Sequence, residues 1–153
     1  MAFDFQVTID SRAPHELADW WAEALGWEVE KQDEAFIRRM VESGAASEAD
    51  TTTHRGALVW KVGTGLTSPD PGRPRVLFQA VPEAKTVKNR VHLDLNVSGG
   101  HSVPRPEREQ RMKAEVARLV GLGAREVRWM ASDEFDESCM VMADPEGNEF
   151  CVQ

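Results

Sequence analysis

The sequence predicts an α+β protein made of two βαβββ modules, with mostly antiparallel strands and the helices gathered on one face. Three observations predict it. Short segments alternate apolar and polar residues, the period of a half-buried strand. Two longer segments carry apolar residues at helical spacing. The order of these segments in the first half returns in the second. The repeat is in pattern more than identity, and "EALGWEVE" (23–30) against "VGLGAREV" (120–127) is its clearest echo.

In chain order, "FDFQVTID" (3–10) sets Phe5, Val7 and Ile9 against Gln6, Thr8 and Asp10, a strand. "APHELADWWAEALGW" follows as a helix, with Leu17, Trp20, Trp21, Ala24 and Leu25 on one stripe, Pro14 in its first turn and Gly26 at its stop. "WEVEK" resumes the strand pattern. Residues 38–56 are small, polar and charged, and read as a loop or short exposed helix. "ALVWKV" (57–62) reads as a strand, "GTGLTSPDPGRP" (63–74) as a Gly/Pro-rich connection, and "RVLFQAV" (75–81) as a strand.

The second module repeats this plan. "RVHLDLNV" (90–97) places Val91, Leu93, Leu95 and Val97 on one face and His92, Asp94 and Asn96 on the other. "RPEREQRMKAEVARLVGLG" is its helix, with Met112, Val116, Leu119 and Val120 on one stripe and a stop at Leu122 and Gly123. "AREVRWMA", "ESCMVMAD" and "EFCVQ" are strands. "DPEGN" is a tight turn in which Gly147 and Asn148 tolerate positive φ. The expected organisation is one domain over 1–153, with module 1 at about 1–84 and module 2 at about 89–153, each too small to stand alone.

Composition narrows the partners. The net charge of −8, with Lys and Arg scattered, disfavours phosphate-backbone binding, so nucleic acid is not an expected partner. No stretch approaches the roughly 20 apolar residues of a membrane span. The start carries no basic region ahead of an apolar run. The two cysteines do not make a disulfide framework. A soluble cytoplasmic protein is the expectation.

The helices cover one face of each sheet, so the other faces solvent, a partner or a cavity. By alternation it collects Gln6, Thr8 and Asp10; Leu77 and Gln79; and His92, Asp94 and Asn96. If residues 144–147 form the last turn, Met142 pairs Glu149. Then Met140, Met142, Glu149 and Cys151 share one face, and Cys139 falls on the other with Val141, Phe150 and Val152. His92 with Glu149 is the beginning of a metal site, since imidazole and carboxylate are common ligands. A merely wetted sheet face is the plain alternative.

These residues resemble the vicinal oxygen chelate superfamily of glyoxalase I, ring-cleaving dioxygenases and bleomycin-resistance proteins, and more narrowly its glyoxalase-like domain proteins. The resemblance rests on "ELADWWAEALGWEVE" (16–30), "RVLFQAVPEAKTVKNRVHLDLNV" (75–97) and "VMADPEGNEFCV" (141–152). It implies paired modules curled into a cup with the ligand inside, and often a homodimer. It implies metal ligands at Gln6, Gln79, His92 and Glu149 for one divalent ion (Zn²⁺, Ni²⁺, Mn²⁺ or Fe²⁺), or no metal at all. Gln79 stands where the family has Glu, which removes a charge and leaves a weaker donor. Glu149 is then the one carboxylate able to act as base.

Three functions follow. The first is a cup that binds a small, partly aromatic molecule at a degenerate metal site. The second is a metal-dependent lyase or isomerase using Glu149. Its weaker variant, an extradiol-type dioxygenase, would need a second His. The third is a scaffold without ligand. Trp60, Trp129 and Phe36, with Asp94 and Met142, are candidate ligand-lining residues, core packing being the alternative for the rings. Trp20 and Trp21 read as core. Lys85, Lys88 and Arg90 read as a salt-bridged connector, His54 as an exposed loop residue or lid, and His15 and His101 as without function. "GTG" at 63–65 lacks the Lys and helix of a phosphate loop.

Overall fold

The computed structural model describes residues 4–153. The chain divides into two compact units, the first ending at Ala84 and the second running from Lys85 to Gln153.

The first unit contains β1 (Val7–Ser11), α1 (Pro14–Leu25), β2 (Glu28–Val29), α2 (Glu34–Glu42), β3 (Thr51–His54), β4 (Ala57–Trp60), β5 (Gly63–Thr67) and β6 (Val76–Ala80). Its sheet runs β1-β6-β5-β2, and β3 pairs only with β4 in a separate hairpin. The second unit contains β7 (Asp94–Leu95), α3 (Arg105–Gly121), β8 (Arg125–Ser132), β9 (Glu137–Ala143) and β10 (Glu149–Val152). Its sheet runs β7-β10-β9-β8. With the hairpin and α2 set aside as an insertion, the two sheets have one order: first strand, fourth, third, second. In each, the first and fourth strands are parallel and the other pairs antiparallel. The α+β class and the duplicated βαβββ plan are as the sequence predicts.

α1 and α3 each cover one face of the sheet in their own unit. α1 starts with Pro14 in its first turn and stops at Gly26, whose φ of 67° is the left-handed conformation glycine adopts freely. It lies on β5 and β6; Leu17, Ala18 and Trp21 of the helix and Leu66 and Phe78 of those strands are all buried. In the second unit α3 lies on β8, β9 and β10. There Met112, Val116 and Leu119 meet a core of Met142, Phe150 and Val152, the last three without exposed surface. Each such side chain contributes about 1.5–3 kcal/mol by leaving water. Val120, expected on the same stripe, is 43% exposed.

Several sequence expectations are corrected. The opening strand begins at Val7, not residue 3, and Phe3 lies outside the described residues. Within 38–56, expected to be loop or short helix, Thr51–His54 is a strand, paired Thr51↔Trp60 to His54↔Ala57. The sheet's third strand is not "ALVWKV" but Gly63–Thr67, the start of the expected connection. Thr64, Gly65 and Leu66 are buried there. A Cβ at Gly63 would run into the Phe78 carbonyl, so the neighbouring backbone selects glycine in this strand.

The last hairpin is one residue out of the expected register. Asp144 N–H donates to Asn148 O, so the loop is the three residues 145–147, with Gly147 at φ 87°. Asp144 is 3% exposed and its carboxylate accepts from the Glu146 and Asn148 N–H groups, which fixes the turn. Phe150 consequently pairs Met142, and Glu149 pairs Ala143. A one-residue slip exchanges the faces of a whole strand. Met140 and Met142 therefore join Phe150 and Val152 in the core. Cys139 and Val141 join Glu149 and Cys151 on the opposite face.

Candidate functional site

The strand expected over 90–97 pairs as a strand only at Asp94–Leu95. Backbone bonds carry the parallel pairing with β10 somewhat further: Cys151 N–H donates to Leu93 O, and Val97 N–H to Gln153 O. One rung earlier, the regular ladder would join Glu149 N–H to Val91 O. Instead the Asn89 carboxamide stands between them. Its Oδ1 accepts from Glu149 N–H and its Nδ2 donates to Val91 O, each at 3.1 Å. A side chain thus replaces a backbone rung, and Val91, expected to face the core, is 75% exposed.

The same segment brings Lys88 to Glu149. Their ammonium and carboxylate form an ion pair in which the glutamate side chain is only 22% exposed. Glu149 sits two residues before Cys151 and shares its face. Parallel pairing places Cys151 beside Asp94. His92 Nε2 is 3.2 Å from Asp94 Oδ1. One donor atom from each of His92, Asp94 and Cys151 lies within 4.8 Å of the other two. The Cys151 thiol is pushed up to about 11, first by burial, then by Cys139 and Asp94. Both cysteines are free thiols.

Gln6 and Gln79 belong to the first unit. Gln6 precedes β1 and is exposed, and its Oε1 accepts from Arg75 Nη1 at 2.9 Å. Arg75 also donates to both carboxylate oxygens of Glu30, from Nε and Nη2, each at 2.5 Å. Those bonds raise the guanidinium above its ordinary range. Gln79 is exposed on β6, in register with Asp10 on one side and Gly63 on the other.

The expected ligand-lining residues are dispersed. Asp94 is in the group just described. Trp60 is half-buried in the β3–β4 hairpin, apart from the sheet that carries Gln79. Phe36 is 45% exposed on α2, with the Arg39 guanidinium 5.9 Å from its ring centre. Trp129 pairs with Met140, on the face that α3 covers, and Lys113 of that helix stands 5.6 Å from its ring centre. Met142 has no exposed surface and can offer none to a ligand in this register.

Two histidines take roles that the sequence did not disclose. His15 is buried and its Nε2 donates to Trp60 O at 2.9 Å. His54 is half-buried rather than exposed. Its Nε2 lies 2.6 Å from Asp19 Oδ2, and its ring stacks on His15 at 5.2 Å. Arg55 adds an ion pair to the same carboxylate at 2.8 Å. These contacts fasten the inserted hairpin to α1.

A cavity of about 550 Å³ opens in the second unit; it takes Asn96 from the polar face expected along 90–97, and none of the expected metal or ligand-lining residues. Its wall includes Asn96, His101, Arg108, Met112, Met130 and Cys139. Arg108 is 6% exposed, bonded to His101 Nδ1 at 2.9 Å and to the Asp136 carbonyl at 3.0 Å, and ion-paired with the Asp136 carboxylate. The cavity arises where the 98–101 loop, the first half of α3 and the β8–β9 end meet. Strand and helix periods carry no signal for such a meeting.

Several solved proteins superpose on this fold over nearly the whole chain. A glyoxalase/bleomycin resistance protein/dioxygenase family enzyme from Burkholderia phytofirmans superposes with a TM-score of 0.57 at 15% identity, over 96% of this chain and 94% of that one. The fosfomycin resistance protein FosX from Listeria monocytogenes, solved with Mn(II) and a dihydroxypropylphosphonic acid, gives 0.58 at 7% identity, over 100% and 90%. A lactoylglutathione lyase from Agrobacterium tumefaciens gives 0.52 at 9%, over 99% and 91%. At such identities the likeness is one of fold. No curated protein matches the sequence. The model of the glyoxalase-like domain matches residues 6–153, and the chain belongs to that family.

Proposed function

We propose that this is a small-molecule-binding protein of the glyoxalase-like type, in which Gln6, Gln79, His92 and Glu149 do not make a working metal centre. The observation that carries the reading is the Lys88–Glu149 ion pair. It neutralises the one carboxylate of the set. Gln6 commits its oxygen to Arg75, and Gln79 is a neutral donor. One imidazole and two neutral carboxamides, with the one carboxylate already paired, are a weak donor set for a divalent ion.

The ligand on this reading is small and partly aromatic. A cavity of about 550 Å³ is within the range of small-molecule sites. Met130 gives it polarisable apolar surface, while Asn96 and Arg108 give it polar edges. A homodimer belongs to the proposal on the family resemblance alone.

A second reading, a divalent-metal-dependent lyase with Glu149 as base, draws on the exposure of Lys88. At 69% exposed, that lysine can swing away and leave a carboxylate largely shielded from water.

The test pairs metal analysis by mass spectrometry, on wild type and Glu149→Gln, with thermal unfolding against a panel of aromatic small molecules. The expected result is a metal content indifferent to Glu149→Gln and a ligand-dependent rise in Tm. Near-stoichiometric metal that disappears in Glu149→Gln, with no ligand effect, overturns the proposal in favour of the lyase.

A further inference from the structure

The second unit carries a donor set that differs from the family's positions in all but one residue. We propose that His92, Asp94 and Cys151 form a nitrogen–oxygen–sulfur centre for Zn²⁺, with a fourth coordination position open. The centre is independent of the small-molecule reading.

The backbone assembles it. His92 and Asp94 are two apart on an extended segment, so both side chains leave the same face. Parallel pairing sets Cys151 directly beside Asp94 on that face. His92 Nε2 and Asp94 Oδ1 are 3.2 Å apart, and the whole set lies within 4.8 Å. Zinc ligands at about 2.0–2.3 Å in a tetrahedron stand about 3.3–3.7 Å from one another, so rotamer adjustments alone close the site. His92 and Asp94 side chains are 48% and 42% exposed, which gives an ion a path in and leaves a position for water or substrate.

The donor types select the metal. A thiolate beside an imidazole and one carboxylate suits borderline-soft Zn²⁺ and disfavours Mg²⁺ and Ca²⁺, which want oxygen alone. Three protein ligands with a free position is the pattern of reactive rather than structural zinc. Glu149 lies on the same face, one strand step from Cys151, but is not in the group. Its Lys88 pair and the Asn89 insertion hold it at the neighbouring rung. The chain thus places its metal-ligating chemistry one step along β10 from the family's position.

Co²⁺ is the probe, as a spectroscopic substitute for Zn²⁺. Metal-free wild type titrated with Co²⁺ should develop a thiolate-to-cobalt charge-transfer band in the near ultraviolet, abolished by added Zn²⁺. The band should vanish in Cys151→Ser and persist in Cys139→Ser and Glu149→Gln. Zn²⁺ affinity should fall about tenfold or more in His92→Ala, an exposed position where folding is not at stake. Circular dichroism of each metal-free variant checks that it is folded. A folded wild type that binds no Zn²⁺ at micromolar concentration overturns the proposal. So does Co²⁺ bound without the band, a band that follows Cys139, or binding lost in Glu149→Gln but kept in Cys151→Ser. The thermal panel with aromatic ligands is unaffected by any of these outcomes, so the two proposals fail separately.

Discussion

Asn89 occupies the hydrogen-bonding position of a backbone rung at Glu149: its Oδ1 accepts the Glu149 N–H at 3.1 Å, in place of a strand carbonyl. The substitution of a side chain for a rung has a measurable signature. Asn89→Ala leaves the Glu149 N–H and the Val91 carbonyl without that partner. The predicted cost is about 0.5–1.5 kcal/mol, since both groups border water. The Glu149 amide should exchange with deuterium faster in the variant, while core amides such as Phe150 hold. Unchanged exchange at Glu149 would show that the bond does not form.

Lys88 is the second restraint on Glu149. Lys88→Met should alter stability by less than about 1 kcal/mol, because a pair with one well-exposed member is worth little. Its effect on ions should be larger in kind than in size. Removing the competing ammonium should raise Mn²⁺ affinity by at most about fivefold, the equivalent of that energy. Paramagnetic resonance of free Mn²⁺ measures it. A rise of several hundredfold would mean that Glu149 already belongs to an ion site that Lys88 merely blocks.

The last hairpin gives a test of register. Met142→Ala should destabilise the chain by about 2–5 kcal/mol, as a fully buried methionine does. Val141→Ala, on the opposite face and half-buried, should cost well under half of that in the same denaturant series. Equal costs, or the reverse order, would restore the pairing of Met142 with Glu149.

The duplicated βαβββ order, both long helices and the three closing strands were legible because each rests on local periodicity. The Pro14 start and Gly26 stop of α1 have a stereochemical cause visible in the residue itself. Gly63–Thr67 was not legible. Its glycines read as a connection, whereas the cause at Gly63 is the approach of the Phe78 backbone, fifteen residues on in the neighbouring strand. The slip at residues 144–148 hinged on one hydrogen bond, Asp144 to Asn148, which separates a three-residue from a four-residue loop. That slip misplaced Met142 and Cys139 together. Of the candidate site, Glu149, His92 and Asp94 were legible by type and alternation. The Asn89 insertion, the Lys88 pair and the Cys151 contact with Asp94 were not, since each joins residues about 57–61 positions apart through pairing that no local pattern encodes.

Gly63→Ala should therefore be far costlier than a loop substitution. Gly63 has φ 141°, and a Cβ there meets the Phe78 carbonyl backbone, which cannot rotate away. Backbone strain alone is worth about 1–3 kcal/mol, and the clash adds to it. Gly72→Ala lies in the following loop at φ 81° with open space around it, and carries strain without the clash. Thermal unfolding should rank Gly63→Ala well below Gly72→Ala. Similar melting temperatures would mean that β5 is not part of the sheet.

Cys151 predicts an alkaline limit for the metal-free protein. Burial, reinforced by Cys139 and Asp94, pushes its thiol up to about 11. The unfolded chain's thiol titrates near about 8.5. Folding thus favours the protonated form. That contribution is fully present below the unfolded value, because both states then hold the proton. Between about 8.5 and 11 the unfolded state has lost the proton and the folded state keeps it, so stability declines as pH rises through this window. Cys151→Ala should flatten the decline. Alkylation by iodoacetamide, followed by mass spectrometry of the peptide containing Cys151, should likewise accelerate with a midpoint near 11 in the native protein. A midpoint near 8.5 would show an ordinary, solvated thiol rather than one half-buried beside Cys139 and Asp94.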